Sequence, residues 1–119
     1  MSSRPRFCAA SAAERSVSLS SDGKVLAVGA PGYGNGKGRT RVFKWQDTDW
    51  APLGESIDGE ADGDDSGTSV SLSGDGKVLA VGAPDAKHED GAAYHGHVRW
   101  FAWVDGSWDQ LGGDIDGSE

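Results

Sequence analysis

The segment SVSLSSDGKVLAVGAP, residues 16–31, returns as SVSLSGDGKVLAVGAP at residues 69–84. Fifteen of these sixteen positions are identical, and the two copies begin 53 residues apart. Internal repeats with a period of about 20–50 residues are typical of proteins in which one small unit recurs and buries its apolar face against its neighbours. The repeat therefore predicts a chain built from two equivalent units.

Each copy has the pattern of a β-hairpin. Serine alternates with valine and leucine in residues 16–20, which is the two-residue period of a half-buried strand. Asp22 and Gly23 follow, and Asp-Gly between alternating hydrophobic residues is a strong hairpin signal. Residues 25–28 then form a buried second strand. The second copy repeats these elements at residues 69–73, 75–76 and 78–81.

The equivalence continues beyond the identical segment. Residues 38–45 align with residues 96–103 at an offset of 58, so the second copy has a longer loop before its aromatic-rich third strand. The fourth strands begin at Trp50 and Trp108; they carry Leu53 with Ile57 and Leu111 with Ile115. No longer segment has a helical period, so we expect eight short strands and almost no helix. The predicted fold is all-β, with two four-stranded antiparallel blade-like sheets that form a partial β-propeller.

The repeat also sets the domain boundaries. We expect a disordered N-terminal tail over residues 1–13, a first repeat or blade over residues 14–60 and a second over residues 61–119. A chain of 119 residues is one domain at most by its length.

The landmarks of the second copy resemble those of the FG-GAP repeat, the blade unit of integrin-alpha-type β-propellers. They are Ser66-Gly67-Thr68-Ser69-Val70-Ser71, then Asp75-Gly76, then Val81-Gly82-Ala83-Pro84. Gly-Ala-Pro also ends the first copy, whereas Glu14 stands at the position of Gly67. Ser66 stands where the family usually has Phe. The resemblance covers residues 14–117.

This resemblance implies a non-catalytic repeat module for protein interaction or cell-surface adhesion, in a secreted or extracellular protein. The chain would be a fragment of a larger propeller or a self-assembling subunit. Its partners would be other blades of the same or another chain, besides an unidentified protein or glycan ligand. The calcium loop of the family is shortened here to Asp22 in one copy and Asp75 in the other, so the resemblance implies no resident cofactor.

Composition excludes several partner classes. Eleven basic and nineteen acidic residues give a net charge of −8, which argues against nucleic acid as a partner because phosphate binding needs a basic patch. No apolar run of about 18 residues exists, so we expect no membrane span. The single Cys8 cannot form an internal disulfide, and the N-terminal residues lack the apolar core of a signal peptide.

Two groups of polar residues are candidate metal ligands. Asp62, Asp64 and Ser66 match the opening of a calcium loop, but the acid that such a loop needs at its twelfth position is replaced by Ser73. Calcium binding is therefore one interpretation of these residues, and a solvated acidic linker between the repeats is the other.

The loop over residues 85–97 holds all three histidines, His88, His95 and His97. Together with neighbouring carboxylates they are candidate zinc ligands, although their spacing matches no standard site. The alternative is a polar surface insertion.

No catalytic or cofactor-binding constellation emerges. Gly32, Gly34, Gly36 and Gly38 lack the spacing of phosphate-binding motifs, and no nucleophile elbow is present, so the chain is predicted not to be an enzyme. Trp50 and Trp108 would serve a carbohydrate-binding lectin if exposed. Their recurrence in register with Trp45 and Trp103 favours packing between blades.

Overall fold

The computed structural model describes residues 15–85, 96–113 and 115–116 of the chain. Apart from the short segment α1 (Tyr33–Gly36), in which Gly34 and Asn35 have non-helical backbone angles, these residues form strands and loops, and the all-β prediction is confirmed. Sheet 1 contains β1 (Ser16–Leu19), β2 (Val25–Ala30), β3 (Arg39–Trp45), β4 (Trp50–Pro52) and β5 (Ile57–Asp58). Sheet 2 contains β6 (Ser69–Leu72), β7 (Val78–Ala83), β8 (His97–Val104), β9 (Ser107–Gln110) and β10 (Ile115–Asp116).

The two sheets have the same antiparallel topology. In sheet 1, β2 lies between β1 and β3, and both β4 and β5 pair with β3. In sheet 2, β7 lies between β6 and β8, and both β9 and β10 pair with β8. The repeated sequence therefore specifies a repeated supersecondary unit.

The number of strands differs from the eight expected. Each predicted fourth strand is divided in two, which gives ten strands in the described residues. Gly54 has a φ of 79° in the first repeat and Gly112 has a φ of 68° in the second. This left-handed backbone cannot continue a strand, so the chain turns and then pairs again further along the same neighbour. Each sheet therefore has five strands rather than four.

The Asp-Gly hairpin turns are confirmed and are closed by side chains. The Oδ1 atom of Asp22 accepts a hydrogen bond from the Ser20 hydroxyl at 2.7 Å and from the Lys24 amide at 2.9 Å. These bonds, the serine first, hold the pKa of Asp22 below its ordinary value. Gly23 has a φ of 74°, which the turn requires. The second repeat has the same arrangement at Ser73, Asp75, Gly76 and Lys77.

Strand register gives each sheet two chemically different faces, because successive side chains point to opposite sides. One face, here the serine face, carries Ser16, Ser18, Ala27, Thr40 and Val42 in sheet 1 and their counterparts Ser69, Ser71, Ala80, Val98 and Trp100 in sheet 2. The opposite face, here the leucine face, carries Val17, Leu19, Leu26, Val28 and Phe43 in sheet 1 and Val70, Leu72, Leu79, Val81 and Phe101 in sheet 2.

The core lies between the serine face of sheet 1 and the leucine face of sheet 2. It is a cluster of buried side chains to which both sheets contribute: Ala27, Val42, Ile57, Leu72, Leu79, Val81 and Phe101. Unlike faces are therefore in contact, and the two sheets are stacked in the same orientation rather than back to back. This arrangement can be continued in both directions, because the faces on the outside are the same two kinds.

Two equivalent glycines provide a test of this stacking. A Cβ atom on Gly29 would overlap the backbone carbonyl of Gly67 in the adjoining segment, whereas a Cβ on Gly82 would meet only the Ser69 side chain and carbonyl of its own sheet. We expect Gly29→Ala to destabilise the chain by about 1–3 kcal/mol, the usual cost of overpacking. Gly82→Ala is the matched control and should cost less, because the Ser69 hydroxyl can rotate.

Chemical denaturation of both variants at a concentration where the chain is monomeric measures this difference. Equal destabilisation by the two substitutions would contradict the stacking.

Candidate functional site

The serine face of sheet 2 is exposed where the serine face of sheet 1 is buried. Thr40 is 0% exposed in the core, whereas its counterpart Val98 is 39% exposed. Val42 is 3% exposed, whereas its counterpart Trp100 is 43% exposed. Within the described residues, sheet 2 has no neighbouring sheet on this side, and the equivalent positions are accordingly more exposed. An aliphatic and an aromatic side chain are left on an open sheet face.

The leucine face of sheet 1 is open along its edge strand. Leu19 is 55% exposed and Val17 is 66% exposed, whereas Leu72, the counterpart of Leu19, is 9% exposed in the core. Towards the middle of the sheet, Val28 and Phe43 are buried. The exposed apolar surface of this face is therefore concentrated on β1.

The internal junction also contains specific polar contacts between the sheets. The Leu72 amide donates to the Ser18 hydroxyl at 3.0 Å, and the Ser16 hydroxyl donates to the Gly67 carbonyl at 2.8 Å. Ser21 donates to the Gly74 carbonyl from both its amide and its hydroxyl, each at 2.9 Å. Ser21 and Gly74 are the one differing pair in the repeated segment, so the only variation falls on this junction.

Tryptophan and arginine side chains join the sheets near the fourth strands. Trp108 packs against the core and its Nε1 donates to the Leu53 carbonyl at 3.0 Å. Arg99, which is buried, donates from Nη2 to the Asp58 carbonyl at 3.0 Å. Gly54 leaves room for the ring of Trp103, which a Cβ there would crowd at 2.6 Å. Trp108 is thus a packing residue at the junction, as its register with Trp50 indicates.

The Trp108 hydrogen bond can be tested against the equivalent tryptophan. Trp108→Phe removes the indole donor and leaves the Leu53 carbonyl without it, which we expect to cost about 1 kcal/mol. Trp50→Phe is the matched control in the first repeat, because Trp50 contacts Trp45 within its own sheet. Urea denaturation of the monomer measures both, and a larger loss for Trp50→Phe would contradict the assignment.

The candidate calcium residues differ in burial and in their contacts. Asp62 is exposed and faces Asn35, whose Nδ2 lies 3.5 Å from the Asp62 carboxylate. Asp64 is buried and its Oδ2 accepts a hydrogen bond from the Ala61 amide at 3.2 Å. Ser66 is fully buried beside Gly59. The calcium hypothesis stays a prediction.

Asp64, from the candidate calcium residues, lies close to His97, from the candidate zinc residues. His97 lies at the start of β8, and its Nε2 is 3.8 Å from the Oε1 of Glu60. Asp64 completes a group whose ligand atoms all lie within 4.8 Å of one another. Imidazole nitrogen with carboxylate oxygens is a set that zinc accepts, so these three residues could hold such an ion. His88 and His95 lie outside the described residues.

The glycine-rich loop after β2 packs on the linker between the repeats rather than forming a phosphate cradle. The Gly59 amide donates to the Gly38 carbonyl at 2.9 Å, and the Asp65 amide donates to the Gly36 carbonyl at 2.7 Å. A Cβ on Gly38 would overlap the backbone of Ser66. The glycines therefore permit a close backbone approach that holds the two repeats together.

An ion pair that the sequence did not reveal lies beside this loop. Arg39 Nε and Asp58 Oδ1 are 2.7 Å apart, and the Arg39 guanidinium lies 3.8 Å from the centre of the Tyr33 ring. The hydrogen bond from Arg39 holds the pKa of Asp58 below its ordinary value. No local sequence signal indicated this ion pair, because Arg39 and Asp58 come to lie opposite each other only when β3 and β5 pair.

Two carboxylates meet where the linker approaches the end of β7. A hydrogen bond to Asp85 raises the pKa of Asp65, and the charges of Asp85 and Asp64 act in the same direction, while Arg15 opposes them. Asp65 has a φ of 56°, a left-handed conformation that aspartate and asparagine tolerate better than most residues. At neutral pH the ionised carboxylate of Asp65 is therefore held close to other negative charges.

This pair gives a prediction for the pH dependence of stability. Because the folded-state pKa of Asp65 is raised, ionisation costs stability as the pH rises through that pKa, and the cost remains at pH 7. Asp65→Asn keeps the shape and removes the charge, so we expect a higher Tm than wild type at pH 7 and an equal Tm at pH 3. Asp62→Asn is the control on the same loop, and an equal rise for it at pH 7 would contradict this account.

A scan against protein-family models finds no family that matches this chain, and a search of the curated proteins finds no match either. Within the described residues, no helix is long and apolar enough to cross a membrane.

Proposed function

We propose that this chain is a non-catalytic repeat module that associates through its open sheet faces with further units of the same repeat. The observation that carries the proposal is the difference between equivalent positions. Leu19 and Trp100 are exposed, whereas Leu72 and Val42, their counterparts, are buried between the sheets. Leu19 on the edge strand of one face and Trp100 on the other are thus exposed at positions whose counterparts pack against a neighbouring sheet.

The arrangement supports a propeller-like architecture of the FG-GAP type. In such an architecture, small antiparallel sheets pack face to face in a repeated orientation, and each contributes one blade. Sheet 1 and sheet 2 have the same topology and are stacked through unlike faces, as successive blades would be. On this proposal the module takes part in protein interaction or adhesion outside the cell, and the loops that differ between repeats contact the ligand.

A carbohydrate-binding lectin is the second candidate, and one observation favours it. Trp100 presents an exposed indole on an open sheet face, and aromatic rings of this kind can stack on sugars. Trp108, which the sequence also made a candidate for sugar binding, instead donates a hydrogen bond to the Leu53 carbonyl at the junction between the sheets. The association proposal accounts for both open faces, whereas the lectin accounts for one.

A covalent tandem of two copies tests whether the open faces pack on a further unit. The connection, residues 117–119 followed by residues 1–15, is longer than the 59–68 segment that joins the two sheets of one copy. Burying a leucine-sized side chain contributes about 1.5–3 kcal/mol. We therefore expect the tandem to have a Tm about 5 °C or more above that of the single chain, measured where the single chain is monomeric.

The tandem contains its own matched control. Leu19→Asp in the second copy places a charge in the new junction and should remove the gain in Tm. The same substitution in the first copy lies on the outer end of the tandem and should leave the gain intact. A tandem no more stable than the single chain, or one in which both substitutions act equally, would overturn the proposed function.

A further inference from the structure

We propose that the unit which covers the open faces is a second copy of this chain, bound head to tail in the register of the internal junction. This inference rests on the proposed function and makes it specific. The serine face of sheet 2, here the tail, would receive the exposed β1 edge of the leucine face of sheet 1 of the next copy, here the head. Val28 and Phe43, towards the middle of that face, are already buried within the chain. The internal junction then serves as the template for the one between molecules.

The first argument is that the backbone contacts of the internal junction have counterparts on the open faces. Inside the chain the Ser18 hydroxyl accepts from the Leu72 amide. The equivalent pair across the new junction is Ser71 on the tail and Leu19 on the head of the second copy. The Ser21 amide donates to the Gly74 carbonyl inside the chain, and the Gly74 amide has the Ser21 carbonyl as its equivalent partner.

The second argument comes from the residues around the fourth strands. Trp108 donates to the Leu53 carbonyl inside the chain, and the equivalent pair is Trp50 on the head with Leu111 on the tail. Trp50 is half-buried and Leu111 is exposed at 37%, so both are available at the edges of the open faces.

The same correspondence holds for the arginines. Arg99 donates to the Asp58 carbonyl, and the equivalent pair is Arg41 with the Asp116 carbonyl of the other copy. Arg41 is also held over Phe43 as Arg99 is held over Phe101, at 5.6 Å and 5.4 Å from the ring centres. Arg41 on the head thus has the same position relative to its phenylalanine as Arg99.

The third argument is the chemistry of the surfaces that would meet. Val17 and Leu19 on the head are the counterparts of Val70 and Leu72, which pack in the core beneath the serine face of sheet 1. Trp100 on the tail has a larger apolar side chain than its counterpart Val42, which lies in the core with Leu72 at the internal junction. On the tail the head would meet Ser69 and Ser71, which repeat Ser16 and Ser18. Beside them lie Val98 and Trp100 in place of Thr40 and Val42, so the tail is the more apolar of the two serine faces.

Contact between two different faces makes the assembly heterologous. Each added copy presents a new head or a new tail, so growth continues until the rotation between copies closes a ring. A surface that paired with itself would instead stop at a dimer. This difference in stoichiometry can be measured directly.

The experiment uses two variants of the full chain, each with one blocked face. Leu19→Asp blocks the head and leaves the tail intact, while Trp100→Asp blocks the tail and leaves the head intact. Both side chains are exposed, so both variants should fold, which the circular dichroism spectrum and the Tm of each monomer check. Mass is measured by analytical ultracentrifugation over a range of concentrations.

We expect the wild-type chain to form species larger than its 12.4 kDa monomer. Each variant alone should weaken self-association at least about 30-fold, the effect of a charge at an interface hot spot. An equimolar mixture of the two variants should form a complex of twice the chain mass and nothing larger, since only one head and one tail remain. Gly82→Ala, which adds a methyl group to the tail, should weaken association while leaving the monomer folded.

Four results would overturn the inference. A wild-type chain that stays monomeric would overturn association between separate copies, while a stabilised tandem would still support the proposed function. A mixture that stays monomeric, or a blocked variant that still dimerises with itself, would exclude head-to-tail binding. A wild-type chain that associates only after deletion of residues 1–13 would show that this segment, rather than a second copy, occupies a face.

Discussion

The structure depends on the contact between two unlike sheet faces. A β-sheet normally buries one face and leaves the other to solvent, which limits a small sheet to one neighbour. Here the face that carries Ser16 and Ser18 is also included in the core, because the serine hydroxyls exchange hydrogen bonds with the backbone of the adjoining sheet. Both faces of the unit are thus suited to burial, and the core can lie between two copies of one small motif.

Close approach of the backbones makes this contact possible. Gly29 meets Gly67 across the junction, and Gly38 and Gly59 bring the first loop against the linker. Side chains at these positions would separate the segments and break the hydrogen bonds between them. The high glycine content, nineteen of 119 residues, therefore reflects packing as well as turns. It also explains how a chain with few large hydrophobic residues can build a continuous interior.

Much of the fold could be predicted from the sequence, because local patterns specify it. The alternation of polar and apolar side chains in residues 16–20 and the Asp22-Gly23 turn specify the first hairpin. The same sequence at residues 69–84 specifies an equivalent hairpin in sheet 2. The division of the fourth strand at Gly54 could not be predicted, since a single glycine within a strand pattern is also compatible with a bulge. The meeting of Asp64 with His97 depends on how the sheets stack, and no local signal carries that information. The sequence also does not show which sheet faces are in contact, because the side chains of both faces alternate with the same two-residue period.

The single difference within the repeated segment has a consequence for the order in which junctions separate. At the internal junction Ser21 contributes two hydrogen bonds to the Gly74 carbonyl, one from the amide and one from the hydroxyl. At a junction between molecules the equivalent donor is Gly74, which has an amide and no hydroxyl. At this position the junction within a chain therefore has one more hydrogen bond than its proposed counterpart between molecules, and a covalent linker also joins its two sheets. If copies associate head to tail as proposed, dilution would separate them before either lost its own core.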